Sequence, residues 1–105
     1  MPLGHDPLYD DMVLLTGQDF VATIRPAAGE SIPTGTTVEL VIRNTQDTTT
    51  VATWPAAVST AEATWSVPST ITDAITAPSL IYRVYAHFTD GTDFVWVRGA
   101  VIRKH

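Results

Sequence analysis

The 105 residues leave room for one hydrophobic core, and a hydrophobic content of 45% is that of a folded domain rather than of a disordered chain. Eleven acids against six bases give a formal net charge of −5, so the few dispersed Lys and Arg leave no footprint for gripping nucleic-acid phosphates. The absence of Cys excludes disulfides and thiolate metal sites, and no run approaches the roughly 20 apolar residues of a membrane span.

In chain order, Met1 to Tyr9 carries Pro2, Gly4 and Pro7 without a clear period, so residues 1–10 are expected to form an extended arm ahead of a β-sandwich domain over residues 11–105. This start has neither a basic opening nor an apolar signal core, and the mature chain is expected to begin at or near Met1. Thr, Val and Ile supply 35 of the 105 residues, and their branched side chains favour a pleated backbone. Strands are predicted at Met12 to Thr16, Phe20 to Arg25, Thr36 to Arg43, Thr49 to Trp54, Val58 to Val67, Leu80 to Thr89 and Thr92 to Arg103. About seven strands at this spacing specify an all-β antiparallel sandwich. Period two places Phe20, Ala22 and Ile24 on one face and Val21, Thr23 and Arg25 on the other; Val38, Leu40 and Ile42 likewise oppose Thr37, Glu39, Val41 and Arg43. Turn chemistry separates them at Thr16 to Asp19, Pro26 to Gly29, Ile32 to Gly35, Asn44 to Thr48 and Asp90-Gly91. Between Pro68 and Pro78 a single helical turn is predicted, capped by Ser69 or Thr70, with Asp73 in its first turn.

The last two strands carry the most information. Asp90-Gly91 signals a two-residue type I′ hairpin, which places Tyr85 opposite Trp96, His87 opposite Phe94 and Arg83 opposite Arg98. Tyr82, Val84, Ala86 and Phe88 then share the core face with Val95, Val97, Gly99 and Val101. The reverse face, with Arg83, Tyr85, His87, Phe94, Trp96 and Arg98, is the candidate partner interface, since Tyr, Trp and Arg are enriched at interface centres. Two opposed arginines disfavour such a pair unless an acid or a partner intervenes. Three occupants of this face stay open: the chain's own arm or a loop, a partner protein, or a sugar stacked on Tyr85 and Trp96; a one-residue bulge would reverse the faces. On the partner reading, Trp96→Ala is expected to spare the fold and weaken assembly.

Reaction chemistry is sparse. His5, His87 and His105 lack metal-ligand spacing, and the string HDPLYDD, with Asp6, Asp10 and Asp11, fits a solvated arm better than a cation loop. No Ser lies in a nucleophile elbow and no Gly-rich phosphate loop occurs. Glu39 and Glu62 are both expected inside strands, where a carboxylate pair is conceivable only if they meet. No catalytic, cofactor or metal residue is assigned, and the chain is expected not to be an enzyme.

The order DMVLLTGQDFVATIR, GTTVELVIRN, ATWSV and YRVYAHFTDGTDFVWVRGAVI resembles the LtfC-type immunoglobulin-like β-sandwich domain of tailed bacteriophages, and more distantly the N-terminal domain of baseplate upper proteins. The matching pieces are Gly17, Asp19 and Phe20, then Tyr82 and Tyr85, Asp90-Gly91, and Gly99 to Ile102. Tyr82-Arg83-Val84 is similar to a tyrosine corner, with Val84 where the disulfide Cys of immunoglobulins stands. The resemblance implies a non-enzymatic virion component on tail, baseplate or capsid exterior, present in many copies and contacting other virion proteins; charge and hydropathy already set nucleic acid and membrane aside as expected partners. A carbohydrate-binding or host-surface adhesion module, with a possible glycan ligand, is the alternative.

Overall fold

β-Branched alternation produces strands almost wherever it occurs. The computed structural model describes residues 8–26, 29–75 and 79–104. Its strands are β1 (Leu8–Tyr9), β2 (Met12–Leu15), β3 (Phe20–Ile24), β4 (Thr37–Asn44), β5 (Thr50–Pro55), β6 (Ala57–Val58), β7 (Ala63–Val67), β8 (Leu80–His87) and β9 (Asp93–Lys104). One helical turn, α1 (Ser69–Thr72), precedes β8. The large sheet runs β1-β9-β8-β4-β5, with β2 also on β9, and the small sheet runs β3-β7-β6. The two face each other as a β-sandwich. Most pairings are antiparallel as expected, but β1 and β2 run parallel to β9.

The predicted strand Val58 to Val67 is two strands. Ser59 Oγ accepts the amides of Ala61 and Glu62 at 3.2 Å each and turns the chain, so Glu62 lies in a turn rather than a strand. Glu62 pairs with Arg25 at 3.2 Å, whereas Glu39 lies on β4. α1 forms at the expected place by a different cap. Its N-cap residue is Pro68, without a side-chain cap; the Asp19 carboxylate, from the β2–β3 turn, accepts the Ser69 amide at 2.8 Å. Asp73 sits at the C-terminal end instead, where it accepts Gly17 N–H at 3.1 Å and pairs with Arg103 at 3.3 Å.

The core is built from the inward residues of both sheets, among them Leu14, Leu40, Ile42, Trp65, Tyr82 and Val84. Each such apolar side chain contributes roughly 1.5–3 kcal/mol by leaving water. Trp65 of β7 donates its indole N–H to Trp54 O of β5 at 2.9 Å, which joins the two sheets through a buried hydrogen bond. No buried side-chain polar atom among the described residues lacks a partner.

Three residues of the expected arm are docked; residues 1–7 lie outside the described residues. Leu8 and Tyr9 pair with Val97 and Arg98, and the strand resumes at Met12 opposite Val101. Between them Asp10 passes directly over Gly99, where a Cβ would overlap the Asp10 carbonyl. Glycine in a strand serves here for close approach of a second backbone. Asp10 N–H donates to Arg98 O at 3.0 Å, and Asp10 O accepts the Tyr82 hydroxyl at 2.7 Å. The similarity of Tyr82 to a tyrosine corner therefore stops at sequence: its hydroxyl bonds 72 residues upstream rather than within its own corner. Burial and the Asp10 and Asp11 charges push this phenol up to about 12 from 10.0.

Gly99→Ala is expected to lift the N-terminal strand and cost about 1–3 kcal/mol, as overpacking does, read as a lower urea midpoint. Tyr82→Phe should cost about 1 kcal/mol, the worth of one hydrogen bond. A phenol whose pKa is raised on folding stabilises fully below its unfolded value and loses that contribution as pH climbs. Wild type should thus lose stability between pH 10 and about 12 through this group, and Tyr82→Phe should not.

Candidate contact face

Strict alternation along β8 buries Leu80, Tyr82, Val84 and Ala86 and leaves Ile81, Arg83, Tyr85 and His87 half-buried on the outer face. What β9 sets against them depends on the turn. Gly91 has a φ of 90°, but among the described residues Asp47 is the only non-glycine with positive φ, so Asp90 does not form the expected type I′ turn. Phe88 N–H donates to Thr92 O at 2.9 Å and Gly91 N–H to Phe88 O at 3.1 Å, enclosing the three-residue loop 89–91. The Asp90 carboxylate accepts Thr92 N–H at 2.8 Å, and hydrogen bonding from Thr92 holds its carboxyl below the ordinary value.

The longer loop shifts the pairing by one residue: His87 faces Asp93, Ala86 faces Phe94 and Tyr85 faces Val95. Trp96 is then an extra residue in β9, and from Val84 opposite Val97 onward the pairing is the expected one, with Arg83 opposite Arg98. This bulge corrects the expected faces. Phe94 and Trp96 turn to the Phe88 side, with ring centroids 5.5 and 6.4 Å from that of Phe88, and Trp96 packs on the core. Val95 moves to the outer face in their place. Of the six candidate residues, Arg83, Tyr85, His87 and Arg98 share the outer face.

An acid and a ring separate the two opposed arginines. Asp47, in the β4–β5 turn at φ 59°, receives Arg83 Nη1 at 2.9 Å and Arg43 Nε at 2.6 Å on one carboxylate oxygen. The Arg83 hydrogen bond, reinforced by Arg43, holds the Asp47 carboxyl below its ordinary value; Asp47 in turn raises Arg83. Arg98 lies over the Tyr9 ring, 5.5 Å from its centroid. The arm thus covers one end of the face. Val41, paired with Arg83 on the same side, is buried alongside these long side chains.

His87 spans three strands. Its Nδ1 meets Asp93 Oδ1 of β9 at 2.8 Å and its Nε2 meets Glu39 Oε1 of β4 at 3.1 Å. Two carboxylates on opposite nitrogens favour the doubly protonated ring, and the Asp93 bond, followed by that of Glu39, raises its pKa above 6.5. The Tyr85 ring stands parallel to it, 6.3 Å away and tilted by 9°. Both nitrogens being engaged, His87 is an electrostatic clamp across β4, β8 and β9 rather than a base poised beside a nucleophile. Among the described residues no three His, Asp or Glu side chains gather as a metal site; His5 and His105 lie outside those residues. Sequence reasoning missed Asp47, Glu39, Asp93 and Tyr9 as the partners of this face. Period two already put Glu39 on the right side of its strand, but the β4–β8 register that brings it to His87 has no local signal.

The LtfC-like β-sandwich domain model matches residues 6–104 of the chain. The chain belongs to that family. No curated protein matches it.

His87 titrates above its unfolded value, so its contribution is complete below about pH 6.5 and is lost as pH rises through the folded pKa. The urea midpoint of wild type should fall over this window, and His87→Gln should flatten that fall without unfolding the protein. Trp96→Ala, now removing a core contact of a half-buried ring, is expected to lower the stability measured by thermal melting by about 3 kcal/mol, the low end for truncating a large aromatic side chain.

Proposed function

We propose that this LtfC-like domain is a non-enzymatic structural component of a tailed bacteriophage virion, a tail, baseplate or capsid-decorating subunit that acts in many copies through protein–protein contacts. The observation that carries the reading is the family match over residues 6–104. The site geometry supports it. The charged groups of the outer face are arranged to hold strands together: Asp47 between Arg43 and Arg83, and His87 between Glu39 and Asp93. A surface so cross-braced offers other virion proteins a rigid, patterned contact area, with Tyr85, Arg83 and Arg98 at its centre. Fold and role are joined here by family analogy.

The sugar-binding alternative rests on Tyr85 standing parallel to His87 between two carboxylates. It loses its second stacking ring, because Trp96 lies on the core side.

Immunogold electron microscopy of particles from the phage that encodes the chain tests the reading, with antibody raised against the purified protein. Regular gold on heads or tails is expected and would locate the subunit. Bare particles, with the antigen shown to be accessible, would remove the virion role. Titration of cell-wall glycans against Trp fluorescence should show no response at millimolar ligand; saturable quenching would restore the alternative.

A further inference from the structure

The inner face of β3 is the poorly closed side of the sandwich. Its inward residues Phe20, Ala22 and Ile24 are all only half-buried, whereas their partners on β7, Val67, Trp65 and Ala63, are 7%, 2% and 0% exposed. β3 is also the end strand of the small sheet, so one row of its backbone amides and carbonyls is unpaired with any strand among the described residues. In a four-stranded immunoglobulin sheet an N-terminal strand lies along this edge. Here the N-terminal strand runs on β9 instead.

Two grooves follow from that choice. One, of about 350 Å³, lies between Ile24 and the Leu8, Trp96 and Val97 side chains. The other, of about 390 Å³, runs on between Phe20, Ile24, Met12 and Tyr82. They share Ile24 and Val97, so they form one apolar cleft along β3. Asp10 and Asp11 lie on its wall.

We propose that this cleft is a strand-acceptor site: it binds a single extended segment of a partner polypeptide that pairs with the free edge of β3, places alternate apolar side chains in the cleft and sets a Lys or Arg against Asp10 and Asp11. Three features select this occupant. Unpaired strand edges bind through main-chain hydrogen bonds, with pockets reading alternate side chains. The five residues of β3 match a short strand of about 17 Å at 3.4 Å per residue. The edge also opens onto β1 and β2, whose Leu8, Met12 and Val13 line the same cleft. Two β3 strands from two copies would be related by an axis perpendicular to the small sheet, which puts both large sheets on one side and turns the β1 and β2 flanks of the two copies toward each other. A lone strand reaches this edge without bringing a second large sheet against β1 and β2. The acidic wall then chooses a cationic segment over an anionic one.

This deepens the proposed contact role and rests on it. The test is a titration of the isotopically labelled full chain, followed by amide shifts and amide exchange, with a synthetic seven-residue peptide bearing valine at positions 1, 3 and 7 and lysine at position 5, so that all four side chains fall on the cleft side. A second peptide has glutamate in place of the lysine. Expected are slowed exchange within Phe20–Ile24, shifts at Val97 and at the Trp96 indole, and binding at least tenfold tighter for the lysine peptide. Asp11→Lys should reverse that preference. Unchanged β3 exchange, equal binding of the two peptides, or shifts confined to the Tyr85 face would overturn the proposal; the two-peptide comparison on the wild-type chain needs no variant to fold. Because the titration uses the isolated chain, its failure removes the cleft alone, while particle labelling decides the virion role separately.

Discussion

The passage of the Asp10 backbone across Gly99 organises much of this molecule. An N-terminal strand has two edges to choose between in such a sandwich, and the missing side chain at Gly99 lets it approach β9 closely enough for the Tyr82 hydroxyl to reach Asp10 O at 2.7 Å. That one crossing satisfies a buried phenol and brings Tyr9 beneath Arg98. It also leaves β3 as an end strand of the small sheet, with no further strand paired to it among the described residues. Coverage of the outer face and exposure of the inner cleft are therefore two results of the same choice.

A second constraint acts at the other end of β9. The three-residue loop alone would carry its one-residue offset through the whole ladder and turn the core side of β9 outward. Trp96, inserted as an extra residue, restores the register before Val97. A bulge of this kind re-aims side chains locally, and here it sends Trp96 toward Phe88 while Asp93 stays beside His87. The hairpin tip is thus apolar on its inner side and ionic on its outer side.

The outer face shows how a sheet carries charge without strain. Same-sign neighbours across strands are unfavourable, and Arg83 and Arg98 are direct cross-strand neighbours. Asp47 reaches one from a turn and Tyr9 covers the other from the arm. Each compensating group comes from a different part of the chain, so the face exists only once the sheet is assembled.

Much of the architecture was legible beforehand. Branched residues in alternating runs specify strands through local sterics and period-two burial, which sufficed for the β-sandwich, for the inward set Val38, Leu40 and Ile42, and for the faces of β8. The order of the motifs sufficed for the family. The site was legible in part: Arg83 opposite Arg98 could be derived, whereas Phe94 and Trp96 were assigned to the wrong side because Asp90-Gly91 serves two loop lengths equally well. Loop length is decided by which closing hydrogen bonds the tertiary fold favours, and here Phe88 bonds Thr92. The partners Glu39, Asp47 and Tyr9 depend on contacts between segments 36 to 89 residues apart. Such contacts follow from strand order and register, which are global minima of packing and leave no local trace. The sequence by itself determined which residues are strands and which of their faces are apolar; only the tertiary structure decided which edge the N-terminal strand covers, because that choice rests on backbone pairing between segments at opposite ends of the chain.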